Sequence, residues 1–124
     1  MTTPAAVPAV GVQEAAARAA GDEPTAPLIL DVREPDEFAT VRIEGSVLLP
    51  MSGFVQRIDE LPKDRQLLVL CATGVRSAAV TGYLLRSGWN DVANVDGGIT
   101  AWQQAGLPVR RGTVEAGEGE LPVR

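Results

Sequence analysis

Apolar and polar positions run in alternating blocks along the chain, and the blocks read as strands and helices in turn. Leu28 to Val32 (LILDV) is an apolar run broken only by Asp31, the pattern of a central parallel strand covered on both faces. Gln66 to Leu70 and Val92 to Val95 repeat that pattern, Ser46 to Leu49 is a shorter strand stopped by Pro50, and Val10 to Val12 predicts an edge strand. Helical stretches lie between them. Gln13 to Ala20 is alanine-rich and ends at Gly21, and Glu34-Pro35-Asp36-Glu37 opens a second helix. There proline lacks only an amide that would be orphaned, and carboxylates meet the positive helix end. Met51 to Leu61 places Phe54, Val55, Ile58 and Leu61 at helical spacing before Pro62. A helix from Arg76 or Ser77 to Ser87 carries Ala79, Val80, Tyr83 and Leu84 and closes at Gly88. Gly97-Gly98 predicts a tight turn and Ile99 to Gln104 a last short helix. This alternation predicts an α/β domain, a small parallel sheet flanked by helices on both faces.

The ends of the chain depart from the pattern. Residues 1–9 read as a flexible lead-in, residues 10–109 as the domain, and RRGTVEAGEGELPVR at 110–124 as a mobile or loosely docked acidic tail. Leu121 and Val123 are the apolar residues with which that tail can dock. The tetrapeptide LPVR occurs at 107–110 and again at 121–124, too short an echo to mark a structural repeat.

Composition narrows the chemistry. A chain of 124 residues suits one domain, and a net charge of -5 with a single lysine argues against a nucleic-acid surface. Neither a secretory leader nor an apolar stretch of bilayer length is visible, so a cytoplasmic protein without membrane contact, a monomer or weak dimer, is the expectation. One cysteine and no histidine leave no internal disulfide, no ordinary zinc cluster and no histidine-assisted triad.

Cys71 follows the strand 66–70, at the carboxyl edge where open parallel sheets hold ligands. Two readings are open for it: a small buried side chain, or a nucleophile. The residues after it favour the second. In CATGVR, Ala72, Thr73, Gly74 and Val75 wrap from strand to helix, so their backbone amides lack helical partners and can converge on one centre. Such a ring stabilises a thiolate. Arg76 offers guanidinium donors to an oxyanion, and Ser77 either donates its hydroxyl to the sulfur or caps the helix.

Four segments together resemble the rhodanese-like family over residues 10–109: LILDVREPDEF at 28–38, IEGSVLLP at 43–50, CATGVRS at 71–77 and NVDGGITAWQQAGLPV at 94–109. The resemblance implies a single-domain sulfurtransferase in which Cys71 takes the sulfane sulfur of thiosulfate or a related small anionic donor as a persulfide. The sulfur then passes to a thiol or cyanide, or to a protein acceptor. Residues 72–77 form the implied binding cradle. No strong base is needed, and no metal or organic cofactor is implied. Asp31 and Arg33, from DVR, are implied to support the site as an architectural ion pair, with Glu37 in the same scaffold. Trp102 matches a family tryptophan and reads as packing, and Trp89 as cover for the end of the preceding helix.

Two positions differ from the family pattern. Val41-Arg42 stands where many members have Gly-His, so local packing or hydrogen bonding must differ there. Ala72 stands where thiosulfate-specialised members often carry a basic residue, which leaves Arg76 as the expected cation at the mouth. A cysteine phosphatase is the competing enzyme class, but its loop has one residue more than CATGVR and works with a general acid. The other alternative is a persulfide carrier or docking module that hands sulfur to a partner, with weak thiosulfate activity.

Overall fold

A computed structural model describes residues 6–21 and 23–121. Five parallel strands are ordered β1-β5-β4-β2-β3: β1 Ala9–Val10, β2 Leu28–Asp31, β3 Val47–Leu48, β4 Leu67–Leu70 and β5 Val92–Val95. The helices are α1 Val12–Ala19, α2 Pro35–Thr40, α3 Phe54–Arg57, α4 Val75–Arg86 and α5 Gly98–Gln104. Strands β2, β4 and β5 are buried along their whole length, which is why their sequences are apolar runs and not alternations.

Alternation of side chains sorts that core into two layers. Leu28, Leu30, Leu67, Val69 and Cys71 face one side with Phe54 of α3 and Val80 and Leu84 of α4. Ile29, Leu68, Leu70, Ala93 and Val95 face the other with Ala15 of α1 and Ile99 and Trp102 of α5. Fully burying one such leucine contributes ~1.5–3 kcal/mol, so the two layers are what hold the sheet between its helices. Both tryptophans pack as expected. Trp102 donates Nε1–H to the Pro108 carbonyl at 2.9 Å and Trp89 to that of Pro62 at 3.1 Å.

Helix α2 starts as its sequence predicts, with Pro35 at the first turn and a reciprocal pair of capping bonds between Glu34 and Glu37. Other boundaries move. Strand β1 begins one residue earlier than expected, because Asn94 N–H donates to Pro8 and Asp96 N–H to Val10 on the edge of β5. The helix expected over 51–61 divides into two 3-10 turns, Met51–Gly53 and Ile58–Glu60, around α3. Gly53, of low helix propensity, stands at the first break.

The tail, expected to be mobile or loosely docked, makes contacts with the domain as far as residue 121. Arg42 and Arg110 exchange backbone hydrogen bonds at 2.9 and 2.7 Å, and Leu48 N–H donates to Gly119 at 2.8 Å. Arg42, buried, closes a two-pronged ion pair with Glu118 at 2.7 and 2.8 Å and donates to the Gly112 and Thr113 carbonyls. The residue that departs from the Gly-His pattern is therefore the one that holds the tail. Leu121 packs against the layer containing Cys71; Val123, its expected companion, lies outside the described residues.

Candidate active site

Strand β4 ends at Leu70, and Cys71 is the next residue, 1 % exposed. Three donors meet its sulfur: Gly74 N–H at 3.1 Å, Ser77 N–H at 3.3 Å and Ser77 Oγ at 3.2 Å. Burial pushes the thiol pKa up. The bonds from the Ser77 hydroxyl and from the Ser77, Gly74 and Thr73 amides outweigh that push, so the pKa lies below the ordinary thiol value. The convergence comes from the start of α4. Gly74 precedes the helix at φ 101°, a left-handed conformation that turns the loop back over the sulfur, and a Cβ there would stand 3.1 Å from the Gly97 amide. The helix begins at Val75, earlier than Arg76 or Ser77, so the amides of its first turn are free of helical acceptors, and that of Ser77 meets the sulfur.

The loop is also held from β5 and α5. Ile99 N–H donates to the Cys71 carbonyl at 2.9 Å and Thr100 N–H to the Ala72 carbonyl at 3.0 Å. That approach needs Gly98. At φ 59°, a Cβ on it would overlap the Cys71 carbonyl oxygen and stand 2.6 Å from Ala72 backbone atoms. Thr73 and Val75 are exposed on the outside of the loop.

Arg76, the expected cation at the mouth, is engaged by a carboxylate. Its guanidinium grips both carboxylate oxygens of Glu37 at 2.9 Å. The Arg76 hydrogen bonds hold the Glu37 carboxyl at about 2, and Glu37 in turn raises the pKa of Arg76. The side chain remains about a third exposed, so it still faces solvent beside the loop.

Asp31 and Arg33 form a buried ion pair at 2.7 Å, with Arg33 Nε within 3.1 Å of both carboxylate oxygens. Arg33 also donates to the Glu37 carbonyl at 3.3 Å and the Val41 carbonyl at 2.7 Å. A chain of contacts thus runs from the end of β2 through Arg33 to α2, through Glu37 to Arg76, and so to the cysteine loop. Neither member of the pair hydrogen-bonds the sulfur. Ser77 takes the first of its two expected roles, since its hydroxyl meets the sulfur and Gly74 occupies the cap position.

One residue of the site was missed in the sequence. Asn94 on β5, buried, lies 2.5 Å through Oδ1 from Ser77 Oγ and donates Nδ2–H to the Gly74 carbonyl at 3.2 Å. The signal was a polar residue inside the apolar run VANV, comparable to Asp31 inside LILDV: a buried amide in a central strand requires partners. Among the described residues no group of cysteine and carboxylate side chains is arranged to hold a metal ion, and no helix is long and apolar enough to cross a membrane.

A family model described as Rhodanese-like domain matches residues 12–105. A sulfurtransferase of Allochromatium vinosum is 40 % identical over 82 residues, covering 66 % of this chain and 77 % of the relative. The thiosulfate sulfurtransferase GlpE of Vibrio cholerae is 33 % identical over 81 residues, covering 65 % and 76 %. In three dimensions the crystal structure of a rhodanese-related protein from Thermoplasma volcanium superposes with a TM-score of 0.72 at 31 % identity, over 83 % of this chain and 97 % of that one.

Proposed function

Since the chain belongs to the rhodanese-like family, we propose that it is a sulfurtransferase that carries a sulfane sulfur on Cys71. The observation that carries this reading is the set of three donors around one buried sulfur, in a chain that has no histidine. In the first step the thiolate attacks the outer sulfur of thiosulfate, the bond to the sulfonate sulfur breaks, and sulfite leaves with the bonding electrons. In the second, a thiol or cyanide attacks the outer sulfur of the persulfide and Cys71 leaves as thiolate. Each step starts or ends with negative charge at the loop, which is where preorganised amides stabilise it. A phosphatase fits less well: the Arg76 guanidinium is closed on Glu37, and the short loop encloses a sulfur atom.

Ala72 and the Glu37–Arg76 pair reduce the positive charge available to a dianion, which favours a donor less charged than thiosulfate, such as a low-molecular-weight or protein persulfide. A carrier that receives and delivers sulfur through a partner protein is therefore the second reading. Sulfur transfer from thiosulfate to cyanide, compared between the wild type and Cys71→Ser, tests the first: transfer should vanish with the thiol while the circular dichroism spectrum is kept. Transfer retained by Cys71→Ser would refute it. If the weak-thiosulfate reading holds, Ala72→Arg lowers the thiosulfate KM; an unchanged KM would sink it.

A further inference from the structure

Asn94 lies opposite Val69 in the sheet, buried on the face against which α4 packs. Its Nδ2 meets the Gly74 carbonyl, an oxygen that only accepts, so the orientation of the amide is set and Oδ1 is the atom that faces Ser77 Oγ. Ser77 Oγ thus stands between two acceptors, Asn94 Oδ1 at 2.5 Å and Cys71 Sγ at 3.2 Å. A serine hydroxyl has one hydrogen, and Oδ1 has none to give. When that hydrogen points to Asn94, an Oγ lone pair faces the sulfur and receives the S–H of a neutral thiol. When Cys71 ionises, its proton leaves to solvent, the hydroxyl hydrogen turns to the sulfur, and Oδ1 loses its donor.

We propose that Asn94 is a positioning residue that competes with Cys71 for the single hydroxyl hydrogen of Ser77 and so restrains ionisation of the thiol. The competition has a consequence for the sulfur cycle, resting on the persulfide reading given above. In the persulfide the negative charge sits on the outer sulfur, the pull of Sγ on the hydrogen weakens, and the hydrogen returns to Asn94. Asn94 therefore favours the loaded state over the free thiolate. The charged groups around this cluster are Arg76 of α4, closed on Glu37 of α2, the Asp31–Arg33 pair at the end of β2, and exposed Asp96 after β5. None of them hydrogen-bonds Ser77 or Asn94 among the described contacts.

Asn94→Leu keeps most of the volume and removes the acceptor. The rate of Cys71 alkylation by iodoacetamide as a function of pH is measured in the wild type, Asn94→Leu, Ser77→Ala and the double variant. The midpoint is expected to fall by about half a pH unit or more in Asn94→Leu, and to be the same in Ser77→Ala with and without the second change. A midpoint that is unchanged or raised in Asn94→Leu would overturn the proposal, assigning Asn94 to holding the Gly74 loop alone. An equal fall in both backgrounds would overturn it too, since the effect would not pass through Ser77. If Asn94→Leu does not fold, Asn94→Ala is read in the same way. Persulfide formation by the wild type is a separate measurement by mass, and its failure would remove the consequence for sulfur loading while the alkylation comparison stands.

Discussion

Ser77→Ala removes one of the three donors that meet the Cys71 sulfur and leaves the Gly74 and Ser77 amides in place. A hydrogen bond to a charged group contributes ~1.5–3 kcal/mol. The low end applies here, because the contact to sulfur is 3.2 Å and its hydrogen is shared with Asn94. At about 1.36 kcal/mol per pH unit, the loss raises the thiol pKa by about one unit. Below the midpoint the thiolate fraction, and with it the alkylation rate at fixed pH, drops about tenfold. The same change leaves Asn94 Oδ1 buried without its donor, which costs ~1–3 kcal/mol of folding stability. The alkylation profile with pH reads the first effect and urea unfolding the second. A profile that coincides with the wild type, or that shifts to lower pH, would refute the assignment of Ser77 as a donor to the thiolate.

Gly98→Ala places a methyl group against the Cys71 and Ala72 backbone at a left-handed φ, so sulfur transfer should be lost and the urea midpoint lowered; wild-type transfer would contradict the packing described for the loop. Arg33→Met strands the buried Asp31 carboxylate and removes a donor from the Glu37 and Val41 carbonyls. A loss of ~3–5 kcal/mol is expected by urea unfolding, a large part of a small domain's stability, and a loss under ~1 kcal/mol would count against the pair as an architectural tie. Acid should release the tail. Hydrogen bonding from Arg42, with the Glu115 amide and Arg110 assisting, lowers the Glu118 carboxyl from 4.5 to about 2. A depressed folded-state pKa means that the stabilisation is full above 4.5 and is lost as pH falls through about 2. Amide-exchange protection of Leu48, whose N–H donates to Gly119, should therefore persist below 4.5 and vanish toward 2; loss already near 4.5 would refute the clamp.

The layered fold was legible because the buried strands keep their apolar runs and because proline and glycine mark the turns. LILDV, QLLVL and VANV each predict a strand within about a residue of its observed place. The helix over 51–61 was less so, since its apolar spacing is helical while Gly53 interrupts the backbone that would support it. The contacts of the tail were hidden for a different reason: its glycines and glutamates resemble solvated chain, and its ion pair is made by Arg42, far away in sequence. Such pairing leaves no local pattern. At the site, Cys71, its loop and the DVR segment announce themselves by order and spacing. What remained hidden were the pairings, Glu37 with Arg76 and Asn94 with Ser77, because partners on separate elements are joined only when the sheet aligns them.

The central claim, a sulfur carried on Cys71, is tested most directly by intact mass. After incubation with thiosulfate and removal of the excess, the protein should gain about 32 mass units, lose them on addition of cyanide or a thiol, and show no gain as Cys71→Ser. The same incubation with a low-molecular-weight persulfide covers the case of a donor other than thiosulfate. No reversible gain with either donor, or a gain of equal size in Cys71→Ser, would contradict the account.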